Sequence, residues 1–299
     1  MAARYWVGGA GTWDGSSTTH WSATSGGASG ASAPTSSDQA IFNSSGGTGT
    51  VTIASGATCS ILTWTSTTLT MGGSANFTIY RTFDIEPSVP ITYSGTMTVS
   101  YGAGTSFIAG TTIPFNITFV NTGSASWSAS YYDFVCTGTV TLTSGDLEFS
   151  AVNVTVANFS SNNSNTRSLT FGGSNLTITG SGATAFDVGT STGFSTDLTG
   201  TIKMSSSSAK TFAGGGASYP TLSQTGTGTL TISGSNTFVN LTNTVQPTTV
   251  TFTSGTTQTF TSGFSLSGTS GNLVTINAST TSAATLSKSS GTVTVSYCS

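Results

Sequence analysis

GTVTIASG at residues 49–56, GTMTVSYG at 95–102, GTVTLTSG at 138–145, GTLTISG at 228–234, TTVTFTSG at 248–255 and GTVTVSYC at 291–298 are one phrase repeated along the chain. In each, apolar residues alternate with hydroxyls, which places them on opposite faces of a strand. Glycine or a polar turn then interrupts the alternation. Repetition of one such unit predicts a solenoid, in which each coil buries its apolar face only by stacking on the next. The core is expected from pairs such as Val51/Ile53, Met97/Val99, Val140/Leu142, Leu230/Ile232, Val250/Phe252 and Val293/Val295. In the C-terminal half the clusters recur about every 20–26 residues. That suits one coil of a parallel β-helix better than a hairpin array with a beat of about 8–12. The expected fold is all-β, a right-handed parallel β-helix or β-solenoid with a small Trp-rich N-terminal cap. About ten coils at ~4.8 Å each would make a rod of roughly 50 Å. The structural alternative is a tandem of antiparallel β-sandwiches, favoured by the Gly-containing turns.

Composition narrows the function classes. Only 5% of the 299 residues are charged, against about 25% in an ordinary soluble domain. The 17 Phe, 8 Tyr and 5 Trp separate the chain from disordered sequences, which lack aromatic residues. Arg4, Arg81, Arg167, Lys203, Lys210 and Lys288 are scattered, so no basic stripe exists for nucleic acid. No apolar run approaches the ~20 residues of a membrane helix, and no membrane insertion is expected. The opening MAARYWVGGAG has no signal-peptide core. The expected route to a surface is therefore synthesis in a host cytoplasm followed by particle assembly and lysis, or a dedicated exporter. Cys59, Cys136 and Cys298 are far apart and form no metal-binding spacing. They are expected as free thiols, with a disulfide between two of them as the alternative if neighbouring coils align them, and no metal or cofactor is expected.

Two domains are read from the pattern. Residues 1–40 hold Trp6, Trp13, Trp21 and the single histidine, His20, followed by a Gly/Ser/Ala stretch and Pro34. A solenoid needs its first edge covered, so this segment is expected to be a cap and a docking module acting through the three tryptophans. Residues 41–299 are the expected solenoid. Two stretches break its rhythm. Residues 80–101 carry Arg81, Asp84, Glu86, Pro87 and Pro90, the mark of an edge or corner. Residues 124–136 carry Trp127, Tyr131 and Tyr132, which form either a surface-contact patch or a plug in the core.

Candidate chemistry is sparse. Asp84/Glu86 and Asp146/Glu148 are acidic pairs at i and i+2. On a strand they share a face about 6.5–7 Å apart, within the range of an inverting glycosidase. The competing reading, solvent-facing charges that block edge pairing, weighs more, as it does for Asp187 and Asp197. Asp14 and His20 lack a strained nucleophile turn between them and read as polar fasteners of the cap. The outward Thr rows resemble the T-x-T faces of ice-binding solenoids, but Asn, Ser, Lys and Gly interrupt them, and Thr favours strands in any case. No catalytic residue is assigned.

YWVGGAGTWDGSSTTHWS with the following SGGASGASAPTSSDQAIF resembles the opening of phage-encoded virion or fibre-like proteins, and is similar to repeats of autotransporter-like surface proteins. KTFAGGGASYPTLSQTGTGTLTISGSNTFVNLTNTVQPTTVTFTSGTTQTFTSG, continuing to KSSGTVTVSYCS, resembles the β-helical part of the same set. Together they cover about half of the chain. The resemblance implies a non-enzymatic structural protein of a bacteriophage virion: a fibre, spike or capsid-decorating protein on the particle surface. It implies other virion proteins and host surface glycans as partners, and a homo-oligomer, with a trimer as one form. Similar chains continue past the YCS phrase. The alternatives are a glycan-depolymerising tailspike-like enzyme using one of the acidic pairs, and a bacterial surface adhesin or filament subunit.

Overall fold

A computed structural model describes residues 1–100, 105–121, 126–129, 132–149, 152–291, 293 and 295–299, with backbone alone at 105–106 and 126–129. The fold is all-β, a parallel β-solenoid of about 10 turns. The chain divides into two compact units, Met1–Thr141 and Leu142–Ser299.

In the first unit, strands Ala3–Trp6, Gln39–Phe42, Thr58–Trp64, Phe77–Ile85 and Thr105–Ala109 stack in parallel. A second stack is formed by Gly11–Trp13, Gly49–Ile53 and Leu69–Gly73. Parts of residues 1–40 are therefore rungs themselves, in register with Gln39–Phe42 and Gly49–Ile53. Between Cys59 and Ile61 the register shifts. Cys59 and Ser60 are both buried there, and this bulge turns one long strand through a corner of the coil. Thr96–Ser100 and Asn116–Val120 extend the stack beyond that corner.

The second unit repeats the arrangement. Leu176, Ile202, Leu222, Leu241 and Phe264 lie opposite one another on successive strands, and all are buried. A second buried row joins Phe186, Phe212, Ile232 and Phe252. Phe186 and Phe212 stack at 4.4 Å between centroids, inclined by 7°. The outward rows are hydroxyl-rich: Thr58, Thr78, Thr98 and Thr118 in the first unit, and Thr211, Thr231, Thr251 and Asn277 in the second. The parallel registers exclude the sandwich alternative.

One copy of the phrase behaves differently. Val51, Ile53, Leu230, Ile232 and Val250 are buried, whereas Val293 and Val295 are 45% and 42% exposed. Among the described residues of 291–298, only Cys298 pairs in register, with Val274. An alternating sequence buries its apolar face only where a neighbouring coil covers it.

Buried polar groups mark the coil corners. Lys210 is 2% exposed, and its Nζ donates to the carbonyls of Ser206 and Gly228, both at 2.8 Å. Burial pushes this ammonium down from 10.5 to about 8. Between these values the unfolded chain keeps a proton that the folded chain has lost, so stability rises with pH across that window. The buried Cys59 and Cys136 thiols, both raised by burial, act in the opposite sense at higher pH. The expected result is therefore a difference. Between pH 8 and 10.5 the wild type gains stability relative to Lys210→Met in denaturant titrations, and the thiol contributions cancel. A constant difference would show that Lys210 remains charged in the fold.

Candidate functional site

The three cap tryptophans are inside. Trp6 and Trp13 are 0% exposed and Trp21 is 1% exposed. Trp21 meets Trp6 edge-on at 5.2 Å and Trp13 at 5.7 Å, and Phe42 packs against all three. Trp6 donates through Nε1 to the Gly9 carbonyl at 2.7 Å, while the buried Trp13 Nε1 has no partner. His20 stacks on Trp6 at 4.7 Å, and its Nδ1 lies 2.9 Å from the Val7 carbonyl. Asp14 instead accepts from the backbone of Ser16 and Ser17, the first a bond across two residues typical of an Asx-turn. These hydrogen bonds hold its carboxyl below the ordinary range. Each polar residue thus fastens its own segment. The indoles close the apolar end and present no face to solvent. Of the aromatic stretch, Tyr132 is 43% exposed; Tyr131 and the side chain of Trp127 lie outside the described residues.

The acidic pairs differ from each other. Asp146 accepts from the hydroxyls of Ser168 and Thr170 at 2.8 and 2.9 Å, because its strand Gly145–Glu148 pairs with Arg167–Thr170. Asp84 lies between Thr63 and Ile108 on its neighbouring strands. Its Oδ1 is buried without a hydrogen-bond partner. Burial raises its carboxyl above the ordinary value, and Glu86 adds to the rise. Asp187 accepts from Gly189 N and Asn162 Nδ2. For Asp197, burial alone would raise the carboxyl, but hydrogen bonds from Thr199, Gly172 and Phe171 outweigh it and hold it low.

The second unit also carries an open cleft of about 370 Å³, lined by Ser191, Phe194, Ser195, Thr196, Leu198, Gly216, Ala217 and Ser218. Strands Phe194–Thr196 and Ser218–Tyr219 form its two sides, and Thr196 Oγ1 bonds to the Ser218 carbonyl at 3.1 Å. The turn after Phe194–Thr196 is tightly built. Gly200 has φ +75°, and a Cβ there would lie 2.1 Å from the Ser174 carbonyl oxygen, so only glycine fits. This turn holds Leu198 at φ +58° with 43% of its surface exposed. Beneath the cleft, the guanidinium of Arg167 sits 5.3 Å from the centroid of the Phe194 ring. Among the described residues, no charged side chain lines the cleft.

The amino-acid sequence marks this cleft only faintly. Its one visible signal is an apolar residue, Leu198, in the otherwise polar turn DLTG at residues 197–200. Among the described residues, no group of three or more His, Cys, Asp or Glu comes together to hold a metal ion. Comparison with family models, curated proteins and solved structures gives no match to this chain.

Proposed function

We propose that the chain is a non-enzymatic structural and adhesive protein of a bacteriophage particle: a fibre, spike or capsid decoration that meets host or environmental surfaces. The carrying observation is the division of successive coils into an apolar interior and a hydroxyl-rich exterior, as in the row Thr58, Thr78, Thr98 and Thr118. Such a coil gives a stiff, neutral contact surface and spends its side chains on packing. The phage assignment itself draws on the resemblance of residues 5–42 and of the C-terminal stretch. Mass spectrometry of purified particles from the producing host tests it. The chain is expected among the particle proteins at structural copy number, and its presence only in the host envelope fraction would replace this reading with that of a bacterial adhesin.

A second reading is favoured by Asp84. A carboxyl raised by burial next to a second acid is the arrangement of a general acid. In this reading Asp84 and Glu86 hydrolyse a host glycan. Incubation with host capsule or lipopolysaccharide decides between the two. New reducing ends that vanish in Asp84→Asn would establish the enzyme; unchanged glycan is the expected result.

A further inference from the structure

Leu198, like Tyr297 (φ +52°, 55% exposed), is a bulky residue with two uncommon properties at once, and unlike Tyr297 it lines the cleft. A bulky residue in the left-handed region costs energy that a glycine would not, and 43% of the Leu198 surface remains open to solvent. Strain held in place by its surroundings tends to mark a binding or catalytic site, and Leu198 stands on the rim of the cleft.

The lining defines the ligand. Leu198, Ala217 and the edge of Phe194 offer an apolar platform. Ser195 and Ser218 are exposed, and among the described residues their hydroxyls make no hydrogen bond. The carboxylate of Asp197, adjacent in sequence, is taken up by Phe171, Gly172 and Thr199. A ligand for this cleft therefore needs an apolar face, several hydroxyls and no charge. Its volume lies at the small end of the ~300–1,000 Å³ typical of ligand pockets. We propose that the cleft beside Leu198 binds a short neutral saccharide, with one face of a pyranose ring on Leu198 and its hydroxyls paired to Ser195 and Ser218. This names a contact point for the adhesive role, and it rests on that reading for the source of the ligand.

The test is a titration of the isotopically labelled full chain with maltotriose, cellotriose and lactose, followed by amide chemical shifts, with trigalacturonate as a charged control. At least one neutral sugar is expected to shift residues 191–198 and 216–218, and the acidic sugar is not. Leu198→Gly is the decisive variant, because it keeps the backbone conformation and removes the platform. It is expected to bind at least ten-fold more weakly while its melting temperature stays level or rises. A residue kept for folding would instead lower the melting temperature. No shift in the cleft up to about 10 mM sugar, which excludes useful affinity, overturns the proposal; so does equal binding by Leu198→Gly. Sugar-induced shifts elsewhere on the chain would remove this site and leave the adhesive role standing, since particle composition tests that role separately.

Discussion

Replacing Arg167 by alanine is expected to destabilise the second unit by about 3–5 kcal/mol, because several buried carbonyls would lose their donor at about 1–3 kcal/mol each, offset in part by the relieved desolvation of the guanidinium. Arg167 is 2% exposed. Its Nε and Nη2 donate to the Ser161 carbonyl at 3.2 and 2.6 Å, and Nε also reaches Ser161 Oγ at 2.8 Å. Nη1 bonds to the carbonyls of Asn165 and Thr192 at 2.8 and 2.7 Å, and Nη2 to that of Thr190 at 2.6 Å. The planar fork thus ties residues 161–165 to residues 190–192 on the next coil. Desolvation lowers the guanidinium, with nearby Tyr219 opposing, and the charge is surrounded by carbonyl dipoles. Alanine would leave those carbonyls facing an empty space. Lysine is expected to recover little, since an ammonium has three donors and no fork. Equilibrium denaturation of Arg167→Ala and Arg167→Lys checks both statements. A loss below about 1 kcal/mol would mean that water satisfies these carbonyls unaided.

The second large effect is expected from the N-terminal segment. Removing residues 1–33 takes away the strands paired to Gln39–Phe42 and Gly49–Ile53 and uncovers Phe42, which is 0% exposed. Both the apolar end and a row of backbone donors and acceptors would then be open, a template for pairing with another chain. The truncated chain is expected to self-associate or precipitate, as size-exclusion chromatography would show. Trp6→Ala probes the same region more gently, at about 3–5 kcal/mol for a buried aromatic. A monomeric, folded truncation would show that these residues seal nothing. Particle attachment through this end should therefore be probed with surface substitutions, because the loss of an indole lowers stability along with any docking.

Much of the architecture was legible because it is written in the period of the sequence. Val51/Ile53, Leu230/Ile232 and Val250/Phe252 alternate with Thr, and all six are buried; their spacing pointed to parallel coils. The C-terminal Val293/Val295 pair has the same local signal and is exposed, since burial depends on a covering coil that alternation alone does not specify. The buried cations were illegible for a related reason. Arg167 and Lys210 look like scattered surface charges, and only the stacking of coil corners brings carbonyls around them. Leu198 was hidden because strain is a property of φ, not of residue type. The chemistry of Asp146 likewise depended on which strand would lie beside it.

The distribution of indoles between the two units has an optical consequence. All five tryptophans fall within Met1–Thr141 and none within Leu142–Ser299, while Tyr219 is buried in the latter. Selective excitation of indole fluorescence therefore reports on the first unit alone, with Trp13 and Trp64 emitting from a dry environment and Trp6 stacked on a potential quencher, His20. Far-ultraviolet circular dichroism sees both units. Superimposable melting curves from the two signals would mark one cooperative transition, and separated midpoints would assign a melting temperature to each unit without any engineered label.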